Sequence, residues 1–228
     1  MVKKNIMTPT TITRKQVCSG RRPKTTERDS DTRTAIMKAA RTVFARRGFE
    51  GASTREVAEV AGVNNAMIYY HFRDKSTLYR AVLARSFDEF DRIWEHPIFS
   101  SEASSRKKIR TYIEGFISFQ HDNEELRRIM SMEFACCSVN YQWLAENYFV
   151  KSYHKLADLL KQGMRSGELK KMDPAIAIPN LVGMIIHSFI MRPMAEHVIG
   201  KKLDLNVKRF GKFVTDMFFD GVCAKKKR

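Results

Sequence analysis

The feature that most constrains the fold is a pair of short helical segments separated by a glycine. Ser53 is followed three residues later by Glu56, a capping box that starts a helix by satisfying two otherwise unpaired backbone N–H groups. Gly62 ends this segment after about two turns. Asn64 is a good N-cap for the next segment, NNAMIYYHF. The sequence therefore predicts two short helices that meet at a tight turn.

The two predicted helices have small residues where they cross. Ala58 and Gly62 let the helices approach closely, and a large side chain at either position is expected to splay them. The residues predicted to face inward are Val57, Ala58, Ala61, Ile68 and Phe72. This crossed pair is the helix-turn-helix geometry that presents its second helix to the major groove of DNA.

A longer helix is predicted immediately before this pair. Apolar residues recur at intervals of three and four, which indicates one buried helix face: Ile36, Ala39, Ala40, Val43 and Phe44. Asp31 or Thr32 suits the N-cap, and Gly48 suits the left-handed C-cap. Residues 31–77 are thus predicted to form a three-helix head.

The formal net charge of +16 indicates a surface that attracts polyanions, although basic enzymes and membrane-surface proteins share such values. The sequence contains no nucleophile elbow, phosphate loop, HExxH motif or zinc-ligand spacing, so we expect neither enzymatic activity nor a cofactor or metal. His121, Asp122, Glu124 and Glu125 cluster in sequence, but acidic residues at a helix junction need no metal to explain them. The four cysteines form no CxxC pair, which favours a reduced, cytoplasmic protein.

Residues 31–85 resemble the DNA-binding domain of the TetR family of transcriptional regulators. The matching stretches are AARTVFARRGFEGASTREVAEVAGV and NNAMIYYHFRDKSTLYRAVL. They repeat the family's order of glycine, capped helix, glycine turn, aromatic recognition helix, phenylalanine and lysine-containing turn. The resemblance implies a regulator that binds duplex DNA. One departure is Ala66, where the family often has glycine; its methyl group either limits backbone approach or contacts a thymine methyl.

The resemblance and the helix positions together give the predicted DNA contacts. The recognition helix supplies Asn64, Asn65, Ala66, Met67, Tyr69 and Tyr70. Phosphate contacts are predicted for Tyr69, His71 and Lys75, and for Thr54 and Arg55 at the preceding helix N-terminus. The alternatives are that Tyr69 belongs to the core, that His71 packs beside Phe72, and that Lys75 only caps the following helix.

Residues 78–224 are predicted to form a larger helical body, so the fold class is all-α. Its aromatic and sulfur side chains indicate either a pocket for an apolar or aromatic effector or an ordinary core. The candidate pocket residues are Phe90, Trp94, Phe116, Phe119, Met130, Phe134, Trp143, Met184 and His187. The alternative for His187 is a hydrogen-bonded core histidine.

The last two predicted helices indicate a homodimer, because their apolar stripes are broader than a small body needs. The first stripe comprises Ile178, Leu181, Val182, Ile185 and Phe189, and the second Phe210, Phe213, Val214, Met217 and Phe218. Pairing with a symmetry mate would give a four-helix interface, which resembles the family's mode of dimerisation. Two recognition helices would then lie about one DNA turn apart, roughly 34–36 Å or somewhat more, and read a palindrome.

The chain ends are basic. Residues 1–30 are predicted to be a disordered arm that either follows DNA or is simply solvated, and residues 225–228 form a basic tail with the same two alternatives. No secretory signal is predicted. The apolar region from Ala175 to Met191 is interrupted by Pro179, Asn180 and His187, and we interpret it as a buried helix, without membrane insertion.

These observations predict a DNA-binding transcriptional regulator, a repressor released from a palindromic operator by a small, largely apolar effector. The alternative is a DNA-binding protein of the same fold that acts through a protein partner and has no small-molecule effector.

Overall fold

The computed structural model describes residues 24–136 and 139–222. Residues 1–23 of the predicted arm and the predicted tail, 225–228, lie outside this range. The described residues contain helices and no β-strand, so the all-α prediction is confirmed. The α-helices are α1 (Lys24–Gly51), α2 (Thr54–Ala61), α3 (Asn65–Phe72), α4 (Lys75–Asp91), α5 (Ser105–Asp122), α6 (Glu124–Cys136), α7 (Val139–Leu144), α8 (Val150–Arg165), α9 (Pro174–Ile199) and α10 (Val207–Val222).

The first helix is longer than its sequence pattern predicted. Helix α1 begins at Lys24, so the predicted start at Asp31 or Thr32 is wrong and the disordered arm does not extend to residue 30. No proline or glycine interrupts residues 24–47, so the helix can continue through residues that would also serve as caps. Gly48 breaks the helical conformation where the end was predicted, but its φ of 68° and ψ of 179° are not the predicted left-handed C-cap, and one further turn continues to Gly51.

Helices α2 and α3 form the predicted crossed pair. Ser53 accepts a hydrogen bond from the Glu56 N–H at 3.1 Å, and Asn64 accepts one from the Ala66 N–H at 2.9 Å. Of the two hydrogen bonds of the capping box, the structure therefore shows the one from the Glu56 N–H to Ser53, while the Glu56 carboxylate binds Arg46 at 3.2 Å. Val57, Ala58, Ile68 and Phe72 are buried as predicted, and Ala61 is partly buried.

Gly62 has a different role from the one predicted. Its φ of 67° lies in the left-handed region, and a Cβ atom placed there would meet no atom within 4 Å. A side chain at this position would therefore be strained by the backbone conformation and would not push the helices apart. Of the two small residues, Ala58 provides the close approach.

The body is a bundle built around α5. Helix α5 packs against α8 and α10, and α9 contacts α5, α8 and α10. Ile109, Ile113 and Ile117 bury one face of α5, where they share the core with Leu160 of α8 and Ile185 of α9. Helix α1 packs against α4 and α6, which joins the head to this bundle.

Helix α9 is less buried than predicted. It is 26 residues long and its most apolar 18-residue window is 22% buried, although by length and composition it could cross a membrane. Ile178, Leu181, Ile185 and Phe189 face the core, while a second apolar stripe is exposed. The sequence pattern did not separate these faces because apolar residues lie all around the helix.

Candidate DNA-binding face and body cavity

Helix α3 presents a polar and aromatic face to solvent. Tyr70 is 72% exposed and Tyr69 is 51% exposed, so the alternative that Tyr69 is a core residue is wrong. Asn64 and Ala66 are exposed at the N-terminal end of the same helix, while Ile68 and Phe72 hold the opposite face in the core. This end of α3 thus has the exposed side chains that a recognition helix requires.

The N-terminus of α2 lies beside this face. The Thr54 hydroxyl is 3.2 Å from the Tyr69 hydroxyl, and Arg55 is exposed next to it. Backbone N–H groups at a helix N-terminus attract phosphate, and the nearby Glu56 carboxylate is paired with Arg46. The predicted backbone contacts Thr54 and Arg55 therefore lie together with Tyr69.

Two other predicted contacts on α3 are half-buried. Met67 packs against the core and Asn65 is partly covered. The Asn65 Oδ1 atom is buried and has no hydrogen-bond partner among the described residues. Asn65 and Met67 therefore contribute less accessible surface than their neighbours Asn64 and Ala66.

His71 faces α1 instead of solvent. Its side chain is 4% exposed, and its Nε2 atom lies 3.7 Å from the Asp29 carboxylate. The ring also packs against Phe72, with centroids 6.2 Å apart, as the alternative prediction had it. His71 thus connects the last turn of α3 with α1. We leave His71 out of the proposed DNA surface.

Lys75 is likewise directed into the protein. Its Nζ atom donates hydrogen bonds to the carbonyl oxygens of Phe49 at 2.9 Å, Ala52 at 3.1 Å and Glu50 at 3.4 Å. It also lies 4.6 Å from the Phe49 ring centroid. Lys75 thus caps the C-terminal end of α1 and does not cap the following helix. Because its ammonium group is directed into the protein, we leave Lys75 out of the proposed DNA surface as well.

A cavity of about 420 Å³ lies in the body between α4, α5, α6, α8 and α9. Five predicted pocket residues line it: Phe90, Phe116, Phe119, Met130 and Phe134. Edge contacts organise these rings; the Phe90 centroid is 5.3 Å from Phe116 and 5.1 Å from Phe119. The size and the aromatic wall suit a small organic molecule.

The four other predicted pocket residues lie elsewhere. Trp94 packs against Phe99 with ring centroids 4.9 Å apart, and Trp143 packs against Tyr148 at 5.8 Å. Met184 is half-buried outside the cavity, and His187 is exposed on α9. The core alternative for His187 is also wrong, because its face of α9 points away from the bundle.

Sequence reasoning missed the polar part of the cavity wall. Gln120, Arg127, Ser131, Ser152 and Tyr153 line it together with the aromatic rings. In the sequence, Arg127 belongs to the charged run EELRRIM and resembles any solvent-facing arginine. Met130 and Phe134 follow Arg127 by three and seven residues, so the three side chains share one face of α6; this spacing was the available signal.

Helix α6 connects the cavity with the head. The Glu125 carboxylate accepts a hydrogen bond from the Thr42 hydroxyl at 2.8 Å and pairs with Arg41 at 3.2 Å. Further along, the Tyr79 hydroxyl of α4 donates to Glu133 at 2.6 Å in the interior, and burial, reinforced by this bond, raises the pKa of Tyr79. One helix therefore contacts both α1 and α4 and also lines the cavity.

Comparison with known proteins decides the family. Residues 36–82 match the family model "Bacterial regulatory proteins, tetR family". Residues 36–82 thus form a TetR family DNA-binding domain. The HTH-type transcriptional regulator RutR of Escherichia coli K12 is 27% identical over 171 residues, covering 74% of this chain and 79% of RutR.

Two further similar proteins cover most of the chain. TtgR of Pseudomonas putida, also a transcriptional regulator, is 25% identical over 193 residues, covering 78% of this chain and 89% of TtgR. The crystal structure of HlyIIR, a hemolysin II transcriptional regulator, superposes with a TM-score of 0.63 at 24% identity, covering 82% of this chain and 99% of HlyIIR. The TetR assignment makes this chain a DNA-binding transcriptional regulator.

Proposed function

We propose that this TetR family regulator is a cytoplasmic, homodimeric repressor that binds a palindromic operator and is released by a small, largely apolar effector. The observation that carries the proposal is the exposed N-terminal face of α3, where Asn64, Ala66, Tyr69 and Tyr70 stand beside the N-terminus of α2. No catalytic activity is part of the proposal.

The α3 face supplies both kinds of contact that operator binding needs. Asn64, Ala66 and Tyr70 would meet base edges, with Asn65 and Met67 at the margin of that contact. Thr54, Arg55 and Tyr69 would bind the phosphates on the flank. Phosphate contacts fix the position on the duplex and base contacts select its sequence.

The dimer would form through exposed apolar stripes of α9 and α10. On α9, Ile190, Met194 and Val198 recur every fourth residue, and Val198 is 75% exposed. On α10, Phe213 and Met217 are 56% and 54% exposed. The residues predicted to form the α9 half of the interface, such as Leu181 and Ile185, are buried in the core of a single chain, so the interface is assigned to the opposite face.

The cavity supports an effector, and α6 supports its link to the DNA. A molecule that fills the cavity would contact Arg127, Met130 and Phe134 on one side of α6, while Glu125 and Glu133 on the same helix hold α1 and α4. A conformation that binds the effector more tightly would space the two heads wrongly for successive major grooves. By reciprocity, operator DNA would weaken effector binding by the same factor.

The alternative, a protein partner in place of the effector, has less support. A partner-only regulator has no need of a cavity of about 420 Å³ lined by six phenylalanines. Close packing is the rule in protein interiors, and leaving such a space unfilled forgoes dispersion contacts.

Replacing Tyr70 tests the DNA-binding assignment. Tyr70→Ala removes a side chain that is 72% exposed and whose ring contacts only the edge of His71, with centroids 5.0 Å apart among the described rings, so we expect little effect on folding. We expect it to weaken binding to the selected operator by about tenfold or more, and binding to random duplex by less than about twofold. Fluorescence anisotropy at one fixed salt concentration measures both affinities.

The matched control for this experiment is Val150→Ala, which truncates a half-exposed apolar side chain of α8 in the body. Both DNA affinities should be unchanged in this variant. Equal losses of specific and nonspecific binding in Tyr70→Ala would remove α3 as the element that reads sequence.

A further inference from the structure

One wall of the body cavity carries a cation, the guanidinium of Arg127. Arg127 of α6 lines the cavity, and its Nη1 atom is buried with no hydrogen-bond partner among the described residues. The guanidinium carbon lies 5.0 Å from the centroid of the Phe189 ring, which covers one face of the group. A buried guanidinium N–H without an acceptor costs free energy, so this position favours a ligand that carries a hydrogen-bond acceptor.

The two acidic residues nearest in sequence do not neutralise Arg127 by contact. Glu125 pairs with Arg41 of α1 at 3.2 Å. The Glu124 carboxylate is bound by Arg128 at 2.7 Å, on the outer side of α6. No acidic side chain pairs with Arg127 within 4.0 Å in the described ranges. Burial lowers the pKa of the Arg127 guanidinium; Glu124 opposes this effect, and Arg192 and Arg128 add to it. The site is therefore electropositive and short of an anion.

A second polar group, on Gln120, lines the cavity close in sequence to Arg127. Gln120 is 8% exposed and lines the cavity from the last turn of α5. It precedes the α5–α6 junction residue Asn123 by three positions, and Arg127 follows that junction by four. With a rise of about 1.5 Å per residue, each group lies within roughly 6 Å of the junction along its helix. An amide and a guanidinium are together suited to bind two carboxylate oxygens.

Most of the remaining wall is apolar, although Ser131 and Tyr153 also line it. Six phenylalanines surround the cavity: Phe87, Phe90, Phe116, Phe119, Phe134 and Phe149. The Tyr112 hydroxyl is hydrogen-bonded to Ser152, so this pair does not demand a polar ligand. The cavity thus combines one cationic end with a long aromatic wall.

We propose that the cavity binds an amphipathic monocarboxylate, whose carboxylate pairs with Arg127 and Gln120 and whose apolar body lies among the phenylalanine rings. The regulatory meaning of this binding rests on the function proposed above, but the binding itself does not. The anion gives Nη1 its missing acceptor, and the apolar body leaves water on entering the cavity. Because Arg127 lies on α6, the carboxylate would be held by the helix that contacts the head.

Matched pairs of acids and alcohols test the charge requirement. Decanoate is compared with 1-decanol and 4-phenylbutyrate with 4-phenylbutanol, each below its aggregation concentration, by isothermal titration calorimetry with the full chain. We expect at least one acid to bind about tenfold or more tightly than its alcohol, because a charge-assisted hydrogen bond is gained. An alcohol that binds as tightly as its acid in both pairs, or no binding by any probe, overturns the proposal.

Two variants assign the preference to Arg127. Arg127→Met should abolish the preference for the acid and leave alcohol binding within about twofold, whereas Arg127→Lys should retain part of the preference. Arg128→Met is the control, because Arg128 pairs with Glu124 on the exposed side of α6, and it should bind the acid as the natural chain does. An acid preference that survives in Arg127→Met refutes the assigned site.

A DNA-binding measurement separates this inference from the proposed regulation. If the acid binds through Arg127 and also lowers operator affinity, both proposals hold. If it binds through Arg127 while operator affinity is unchanged, the ligand assignment stands and its role as the releasing effector fails.

Discussion

At the scale of single residues, Lys75 shows how a basic side chain in a DNA-binding head can serve the fold. Its ammonium group lies among the carbonyls of Phe49, Glu50 and Ala52, at the end of α1 where helical hydrogen bonding stops. These carbonyls otherwise lack donors from the helix, and a cation also suits the negative end of the helix dipole. Lys75 therefore positions the turn between α1 and α2, on which the orientation of α3 depends.

Lys75→Met separates this positioning role from a phosphate contact. The substitution keeps much of the aliphatic chain and removes the charged donor, so we expect the free energy of unfolding to fall by about 1.5–3 kcal/mol. The slope of log Kd against log salt for duplex binding should stay unchanged, because no phosphate contact is lost. Urea unfolding and anisotropy titrations at several salt concentrations provide the two measurements.

Lys161→Met is the comparison for this variant, since Lys161 is an exposed lysine of α8 with a loose 3.9 Å ion pair. It should change neither quantity. A salt slope that falls by about one in Lys75→Met, with stability unchanged, would restore Lys75 as a phosphate contact.

The role of a single residue could be predicted from the sequence where its bonding partner lies only a few positions away. The caps Ser53 and Asn64 were predicted correctly because each bonds a backbone N–H two or three residues away. The directions of His71 and Lys75 were not, because their partners Asp29 and Phe49 lie on α1, 42 and 26 positions earlier in the sequence. Sequence spacing carries little information about such contacts.

At the scale of elements, α6 couples the body cavity to the DNA-binding head. One side of this helix faces the cavity through Arg127, Met130 and Phe134, and Glu133 contacts α4 through a buried hydrogen bond with Tyr79. Tyr79 and Glu133 are 1% and 4% exposed, so water cannot replace a lost partner. This bond ties the position of α6 to that of α4, which begins immediately after α3.

Tyr79→Phe measures the contribution of this bond. Removing the hydroxyl leaves the buried Glu133 carboxylate with one donor fewer, so we expect the free energy of unfolding to fall by about 1.5–3 kcal/mol. Urea denaturation at neutral pH gives this value, and the m-value should be unchanged.

Tyr148→Phe provides the matched control, because the Tyr148 hydroxyl makes a longer, 3.4 Å hydrogen bond to the exposed Asp88. Its effect should stay below about 0.5 kcal/mol. If the two variants lose the same stability, the Tyr79–Glu133 bond is not the link between α4 and α6 that we describe.

The elements themselves were largely predictable from periodicity, and the exceptions have physical causes. Helices α2 and α3 were predicted because caps and glycine mark their ends. In α9 the apolar residues surround the whole helix, so the sequence did not show that Leu181 and Ile185 face the core while Met194 and Val198 face solvent. The faces of such a helix are set by the neighbours it packs against.

At the scale of the whole molecule, function depends on how the head and the body are joined. The aromatic part of the cavity could be anticipated from composition, since Phe90, Phe116 and Phe119 were among the predicted residues. Its polar end could not, because Gln120 and Arg127 come together only where α5 turns into α6 against α9. The exposed stripes of α9 and α10 then set how two such molecules would be arranged on DNA.

Selection from a pool of random duplexes tests the central claim most directly, namely that a dimer of this chain presents two copies of α3 to successive major grooves. The pool is incubated with the full-length protein at moderate salt, and the bound fraction is amplified and sequenced over several rounds. We predict enrichment of an inverted repeat whose half-site centres lie about 10–10.5 base pairs apart or somewhat more. Enrichment of a single unrepeated half-site, or of no sequence at all, would contradict the account.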